Sequence, residues 1–246
     1  MPISPDQIVL WHWEGVTLNA TIVFTWVVMA LLVVGARLVT LRLSDTEQIS
    51  RWQNLLEVLV VGMRDQISAV SQQDPKQYLP FIGTLFLFIS VSNILAVVPG
   101  FRPPTASLST TTALAICVLL AVPIYGVARR GIGGYLRNYI RPTVFMLPFN
   151  VIGELSRTLA LAIRLYGNVM SGTVIVAVLI GIAPFFFPII MQLLGLLTGL
   201  IQAYIFAILA MVYIASAAHA HAGEENTSNK RSEHENPRHR SENMEV

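Results

Sequence analysis

Between Thr143 and Ala218 the chain is almost unbrokenly apolar, and only Glu154, Arg157 and Arg164 carry formal charge there. That tract divides into two stretches, 143–182 and 186–218, and three further tracts, about 16–40, 79–98 and 107–128, make five in all. Each meets the requirement of about 20 residues for a helix crossing a hydrocarbon core about 30 Å thick. Their apolarity is uniform, whereas the strands of a membrane barrel alternate. Charged residues are 12% of the chain, roughly half the share in a soluble domain. The expected fold is an all-α membrane protein. It has about five transmembrane helices, one interfacial amphipathic helix, and a long tilted C-terminal hairpin over 143–219.

Charge distribution orients these spans. Arg37, Arg42, Arg51, Arg64 and Lys76 lie between the first and second, and Arg129, Arg130, Arg137 and Arg141 between the third and fourth. Lys230, Arg231, Arg238 and Arg240 follow the last, while Arg102 alone lies in the opposite set of loops. The positive-inside rule then predicts an extracytoplasmic segment over 1–15, a polytopic domain over 16–219 and a cytoplasmic C-terminus. Residues 220–246 are too polar to bury a core, and disorder is expected. Met1 to Asn19 lacks a basic stretch and runs into a full span, unlike a secretory signal. Cys117 stands alone, so no disulfide framework is implied, and the histidines of the tail are read as solvated rather than metal-binding.

Local signals refine the spans. In 46–70, Ile49, Trp52, Leu55, Leu56, Leu59, Met63 and Ile67 recur at helical spacing with charges elsewhere, which predicts a helix lying at the cytoplasmic interface. Pro99, Gly100, Pro103 and Pro104 end the second span. Ser107, Ser109 and Thr110 offer caps to the third, and Gly131, Gly133 and Gly134 break the helix on the basic side. Some 35 residues from Pro148 to Gly181 and Pro184 would make about 50 Å of helix. That exceeds the hydrocarbon thickness, so the helix tilts, bends or breaks.

Within that long helix Glu154, Arg157, Leu161, Arg164, Asn168 and Ser171 follow a 3, 4, 3, 4, 3 spacing and share one face. In the last span Gln192, Gly195, Gly199 and Gln202 repeat the 3, 4, 3 step, with glycines suited to close helix approach. Glu154 and Arg157 are spaced to pair with each other, as a structural bridge or in transport. Arg164 has no acid within reach on its own helix or on the last span. Placing arginine at a bilayer centre costs at least about 3 kcal/mol, and its depth makes snorkelling difficult. Its counter-charge is therefore expected from water, headgroups or, as the favoured source, a carboxylate of another subunit.

Arg164-Leu165-Tyr166-Gly167-Asn168, followed by Gln202-Ala203-Tyr204-Ile205-Phe206, resembles subunit a of the F-type ATP synthases. Pro148 to Glu154, Ser92-Asn93 with Pro99, and Pro104-Thr105 leading into Ser109-Thr110-Thr111 carry the likeness over about residues 20–219. The resemblance implies a non-catalytic, ion-translocating stator subunit without cofactor, catalytic residue or metal. Arg164 would face the carboxylates of a rotating c-ring between two aqueous half-channels. Asn168 and Gln202 would lie beside it, with Glu154, Ser171 and Thr173 in the ion path and Arg157 and Gln192 supporting it. Implied partners are the c-ring, peripheral-stalk b subunits, the catalytic head through that stalk, and membrane lipid, with no nucleic acid.

A bacterial plasma membrane is the expected location, with a thylakoid or plastid membrane as the alternative. Thr173 stands where relatives often have a carboxylate, Gly195 where many have histidine, and Ser107 and Ser109 where acidic and amide residues are frequent. These departures suggest a divergent branch and leave proton and sodium both open. The competing class is a secondary transporter with a mid-membrane polar site. It would need inverted repeats and matching broken helices, which the sequence lacks. An intramembrane hydrolase would need a His-Glu-x-x-His or Gly-x-Ser-x-Gly motif, and neither occurs.

Overall fold

The computed structural model describes residues 9–13, 16–41, 51–71, 74–98, 100–140, 146–182 and 187–219. The order is β1 (Val9–Trp13), β2 (Val16–Asn19), α1 (Ala20–Thr40), α2 (Arg51–Ser71), α3 (Leu79–Leu95), α4 (Leu108–Ile140), α5 (Met146–Ile182) and α6 (Phe187–His219). Single 3-10 turns at Pro75–Gln77 and Pro104–Ala106 lead into α3 and α4. Four helices are long and apolar enough to cross a membrane: Ala20–Leu38, Leu108–Ala128, Pro148–Gly181 and Phe187–Ala217. The 17-residue α3 is the shorter fifth apolar helix. The expected all-α membrane fold is therefore the architecture of the described residues, with one small addition.

That addition corrects the first boundary. Residues 16–19 do not begin the first helix; they pair antiparallel with β1, with Trp11 opposite Leu18 and Trp13 opposite Val16. The β-branched and aromatic residues Val9, Trp11, Trp13, Val16 and Thr17 favour extended pairing over helix, so α1 starts at Ala20.

α3 is apolar on every side and is correspondingly enclosed, as expected of an internal helix. Ile82, Leu85, Phe88, Ile89, Ser92 and Asn93 are all buried. Against it α6 sets a ladder of small residues: Gly199, Ala203 and Ala207 at four-residue spacing, then Ala210, all buried. Small residues let helix backbones approach where lipid provides no hydrophobic drive for association. Phe206, Met211 and Ile214 of α6 are fully buried in the same hydrophobic core as Ile89 and Leu165. Two hydroxyls within the apolar helices bond back to their own turns, Ser92 to the carbonyl of Phe88 and Thr25 to that of Thr21. Their donors are thereby satisfied without water.

The amphipathic helix forms as α2 and packs on α6 and α3. Ile67 is buried, and the Met63 methyl lies 3.1 Å from where a Cβ on Gly83 would stand. Its opposite face, including Glu57, Arg64 and Asp65, is exposed. Ile49 and the flanking loop lie outside the described residues. α3 ends at Leu95, and Gly100 adopts φ 88°, a left-handed turn that its missing Cβ permits.

Beyond the third span the helix breaks at Gly131 (φ 73°, ψ 162°), as expected, and a second helical piece runs on to Ile140. Gly133 and Gly134 therefore do not end it. α5 is helical through all 37 residues, so the sequence alternative of a break does not apply. The reversal at 183–186, the tail from 220 and the first eight residues lie outside the described residues.

Candidate functional site

α5 and α6 form an antiparallel hairpin whose register is fixed by one hydrogen bond: the Asn168 side-chain amide donates to the Thr198 carbonyl at 3.2 Å. One turn back along α5 and one turn onward along α6 brings Arg164 and Gln202 to the same level. Leu161, Ala162 and Leu165 turn inward and are buried, which rotates Arg164 to the exposed side of α5. Among the described residues no ion pair or hydrogen bond is formed by its guanidinium. Gln202 is buried, and its Nε2 has no hydrogen-bond partner among the described residues. An exposed cation and a buried, unsatisfied amide thus meet at one height.

The polar stripe of α5 lies along the seam with its neighbours rather than wholly inside or outside. Glu154 and Asn168 are half-buried, while Arg157, Arg164 and Ser171 are exposed. Two cavities, each of about 290 Å³, open at separate heights along this seam. The first is bounded by Asn150, Glu154, Arg157 and Thr158 of α5, Val118 and Val122 of α4, and Tyr213 and Ser216 of α6. There the Arg157 guanidinium carbon lies 5.9 Å from the centre of the Tyr213 ring, within cation–π range. Arg157 and Glu154 both border this space, and Thr158 bonds back to the Glu154 carbonyl at 3.0 Å.

The second cavity lies toward the α5–α6 reversal, between Asn93, Ala96 and Arg102 on one side and Asn168, Thr173, Gln192, Gly195 and Gly199 on the other. Gln192 Nε2 donates to the Ala96 carbonyl at 3.2 Å, tying α6 to the end of α3. Thr173 borders the cavity, with its hydroxyl bonded to the Val169 carbonyl at 2.9 Å. Ser171, grouped by sequence with Thr173, Asn168 and Gln192, does not line this space; it is exposed and bonds to the Asn168 carbonyl at 3.0 Å. A step of three residues falls about 60° short of a full helical turn, so Ser171 is rotated away from the line along which Asn168 meets α6.

The glycines of α6 also differ. A Cβ on Gly199 would stand 3.0 Å from the Asn93 side chain, whereas one on Gly195 would meet nothing within 4 Å. Close approach is thus the role of Gly199, and Gly195 leaves open cavity. The lining of this cavity among the described residues includes no carboxylate and no imidazole.

Sequence reasoning passed over Asn93 as a site residue. It is buried, donates to the Gly199 carbonyl at 2.8 Å and accepts from the Thr105 hydroxyl at 3.0 Å. The signal available was an asparagine near the end of an otherwise apolar helix, which needs partners when buried.

A polytopic bundle of apolar helices with a mid-helix arginine on its exterior, between two cavities, has the build of an integral membrane protein rather than of a soluble enzyme. The chain matches the family described as ATP synthase A chain over residues 22–215. It is 62% identical over 218 residues to ATP synthase subunit a 2 of Acaryochloris marina, covering 89% of this chain and 93% of that protein. It is 58% identical to ATP synthase subunit a of Albidiferax ferrireducens (88% and 94% covered) and to ATP synthase subunit a 2 of a Picosynechococcus species (89% and 94%). The chain belongs to the family of subunit a of the F-type ATP synthases, a non-catalytic membrane subunit of that complex.

Proposed function

We propose that this chain forms the stationary half of the ion path of a rotary ATP synthase, with the exposed flank of α5 and α6 set against a c-ring. The observation that carries this reading is the placement of Arg164. It borders neither cavity, and it lies between the α5 residues that line one (149–158) and those that line the other (168–177). Two aqueous half-channels that do not join, separated by a fixed cation, are what coupled rotation requires. A guanidinium stays protonated at any accessible pH and favours ionisation of each ring carboxylate that comes opposite it. It also repels cations that would pass directly between the half-channels, so each ion must ride the ring.

In this reading Asn168 and Gln202 flank Arg164, Glu154 and Arg157 border the cytoplasmic half-channel, and Thr173 and Gln192 line the outer one. Ser171 lies on the flank offered to the ring. The C-terminus is cytoplasmic, the b subunits of a peripheral stalk hold the chain to the catalytic head, and lipid covers the remaining surface. A bacterial plasma membrane fits this arrangement. An outer cavity without carboxylate or imidazole among its described lining favours water-filled access over a relay of titratable groups, which admits either protons or sodium.

Replacing Arg164 by alanine tests the reading in the reconstituted synthase. Coupled ion transport should vanish while the subunit still assembles; ATP-driven pumping by that variant would overturn it. Repeating transport by the unmodified enzyme with sodium removed assigns the ion, since undiminished activity excludes sodium as the required one.

A further inference from the structure

Two adjacent carbonyls of α6 are each claimed by a carboxamide from a different helix. Asn168 of α5 donates to the carbonyl of Thr198, and Asn93 of α3 donates to that of Gly199. Successive helical residues are rotated by about 100°, so neighbouring carbonyls can be reached from two sides at one height. The Asn93 amide is itself fixed, because its oxygen accepts from Thr105 in the turn before α4. Thr105 and Asn93 are both buried, and Gly199 leaves no room for a side chain at that contact. One turn further along α6 stands Gln202.

We propose that Asn93 is a positioning residue of the ion path: its bonds to Gly199 and Thr105 lock the height and rotation of α6. That lock places Asn168 and Gln202 correctly around Arg164 and keeps the outer cavity open between α3, α5 and α6. This rests on the ion-path reading above and adds to it a device on α3, remote from the ring-facing flank. Asn93 acts through Gly199; it need not touch the ion. Loss of a buried hydrogen bond that leaves its partner unsatisfied shifts an equilibrium on the order of tenfold. Here that shift falls on the set of α6 positions from which ions are taken up.

The experiment uses the whole synthase in sealed vesicles loaded with graded sodium at fixed pH, then with graded pH in the absence of sodium. The rate of gradient-driven ATP synthesis per assembled complex is read. Asn93→Ala is expected to raise the luminal ion concentration for half-maximal synthesis on the order of tenfold. Gly199→Ala should impair the enzyme by collision with Asn93, and the Asn93→Ala/Gly199→Ala pair should be less impaired than the two effects multiplied.

Should Asn93→Ala fail to assemble, Thr105→Val and Thr105→Ser decide. The valine should reproduce the shift in half-maximal concentration, and the serine, which keeps the hydroxyl, should restore it. An unshifted half-maximal concentration in assembled Asn93→Ala or Thr105→Val, or simple multiplication in the double variant, overturns the proposal. Arg164→Ala run alongside separates the two ideas. If it transports, the ion-path reading falls; if it is inactive while Thr105→Val and Asn93→Ala match the parent, only the positioning role falls.

Discussion

α3 and α5 are both apolar helices, yet they occupy opposite situations. α3 is short and enclosed, with Ile89 wholly inaccessible and Ser92 and Asn93 buried beside it. α5 is more than twice as long and turns Leu155, Leu159, Ile163, Ile175, Val178 and Ile180 outward with Arg164 among them. In water such a surface would mark an error or an interface. In a bilayer it is the ordinary exterior, and the contrast shows that apolarity here has two meanings. On α3 it means contact with protein, and on α5 contact with lipid or a neighbouring subunit.

The contrast can be attacked from either side. The largest effect is expected on the exposed side: Arg164→Ala should remove coupled transport altogether without loss of assembled subunit, as measured by transport assays beside quantitative immunoblots. A change in the enclosed region should do the reverse. Phe206→Ala, at a wholly buried core position, should cost about 3–5 kcal/mol of packing. It should appear as reduced assembled complex and a lower thermal midpoint rather than as uncoupling.

Gln202→Ala should have an intermediate effect. Its amide is buried level with Arg164 but carries no charge and has no partner for its Nε2 among the described residues, so transport should fall by roughly tenfold or less, the scale of one polar contact with the passing ring or with water. Smallest of all, Val178→Ala on the outward face of α5 should change stability within about 0.5 kcal/mol and leave transport near that of the parent. If Val178→Ala disrupted the complex as severely as Phe206→Ala, the exposed face would be a tight protein contact rather than a lipid-facing one.

Much of this was legible in the residues. The run without helix breakers before Ala183-Pro184 marks a helix too long for the bilayer but leaves tilt, bend and break open, and only the folded chain shows α5 unbroken. The 3, 4, 3, 4, 3 spacing gave the stripe containing Arg164, and that arginine has no ion-pair partner among the described residues. Other features were not legible. The Val9–Trp13 hairpin was absorbed into an N-terminal segment and the start of a span, because four residues of pairing leave little periodic signal. Ser171 and Gly195 were assigned by spacing to faces whose actual neighbours differ from those of Asn168 and Gly199.

What the chain determines alone is therefore the set of apolar helices and the order of the charges along them, because these follow from transfer energies and a fixed rise per residue. What required the folded arrangement is the partner of each face. Lipid tails and leucine side chains are equally apolar, so no sequence pattern distinguishes them. Only the meeting of Asn93 with Gly199, of Asn168 with Thr198, and of two cavities on either side of Arg164 decides which surface is interior and which is offered to a partner.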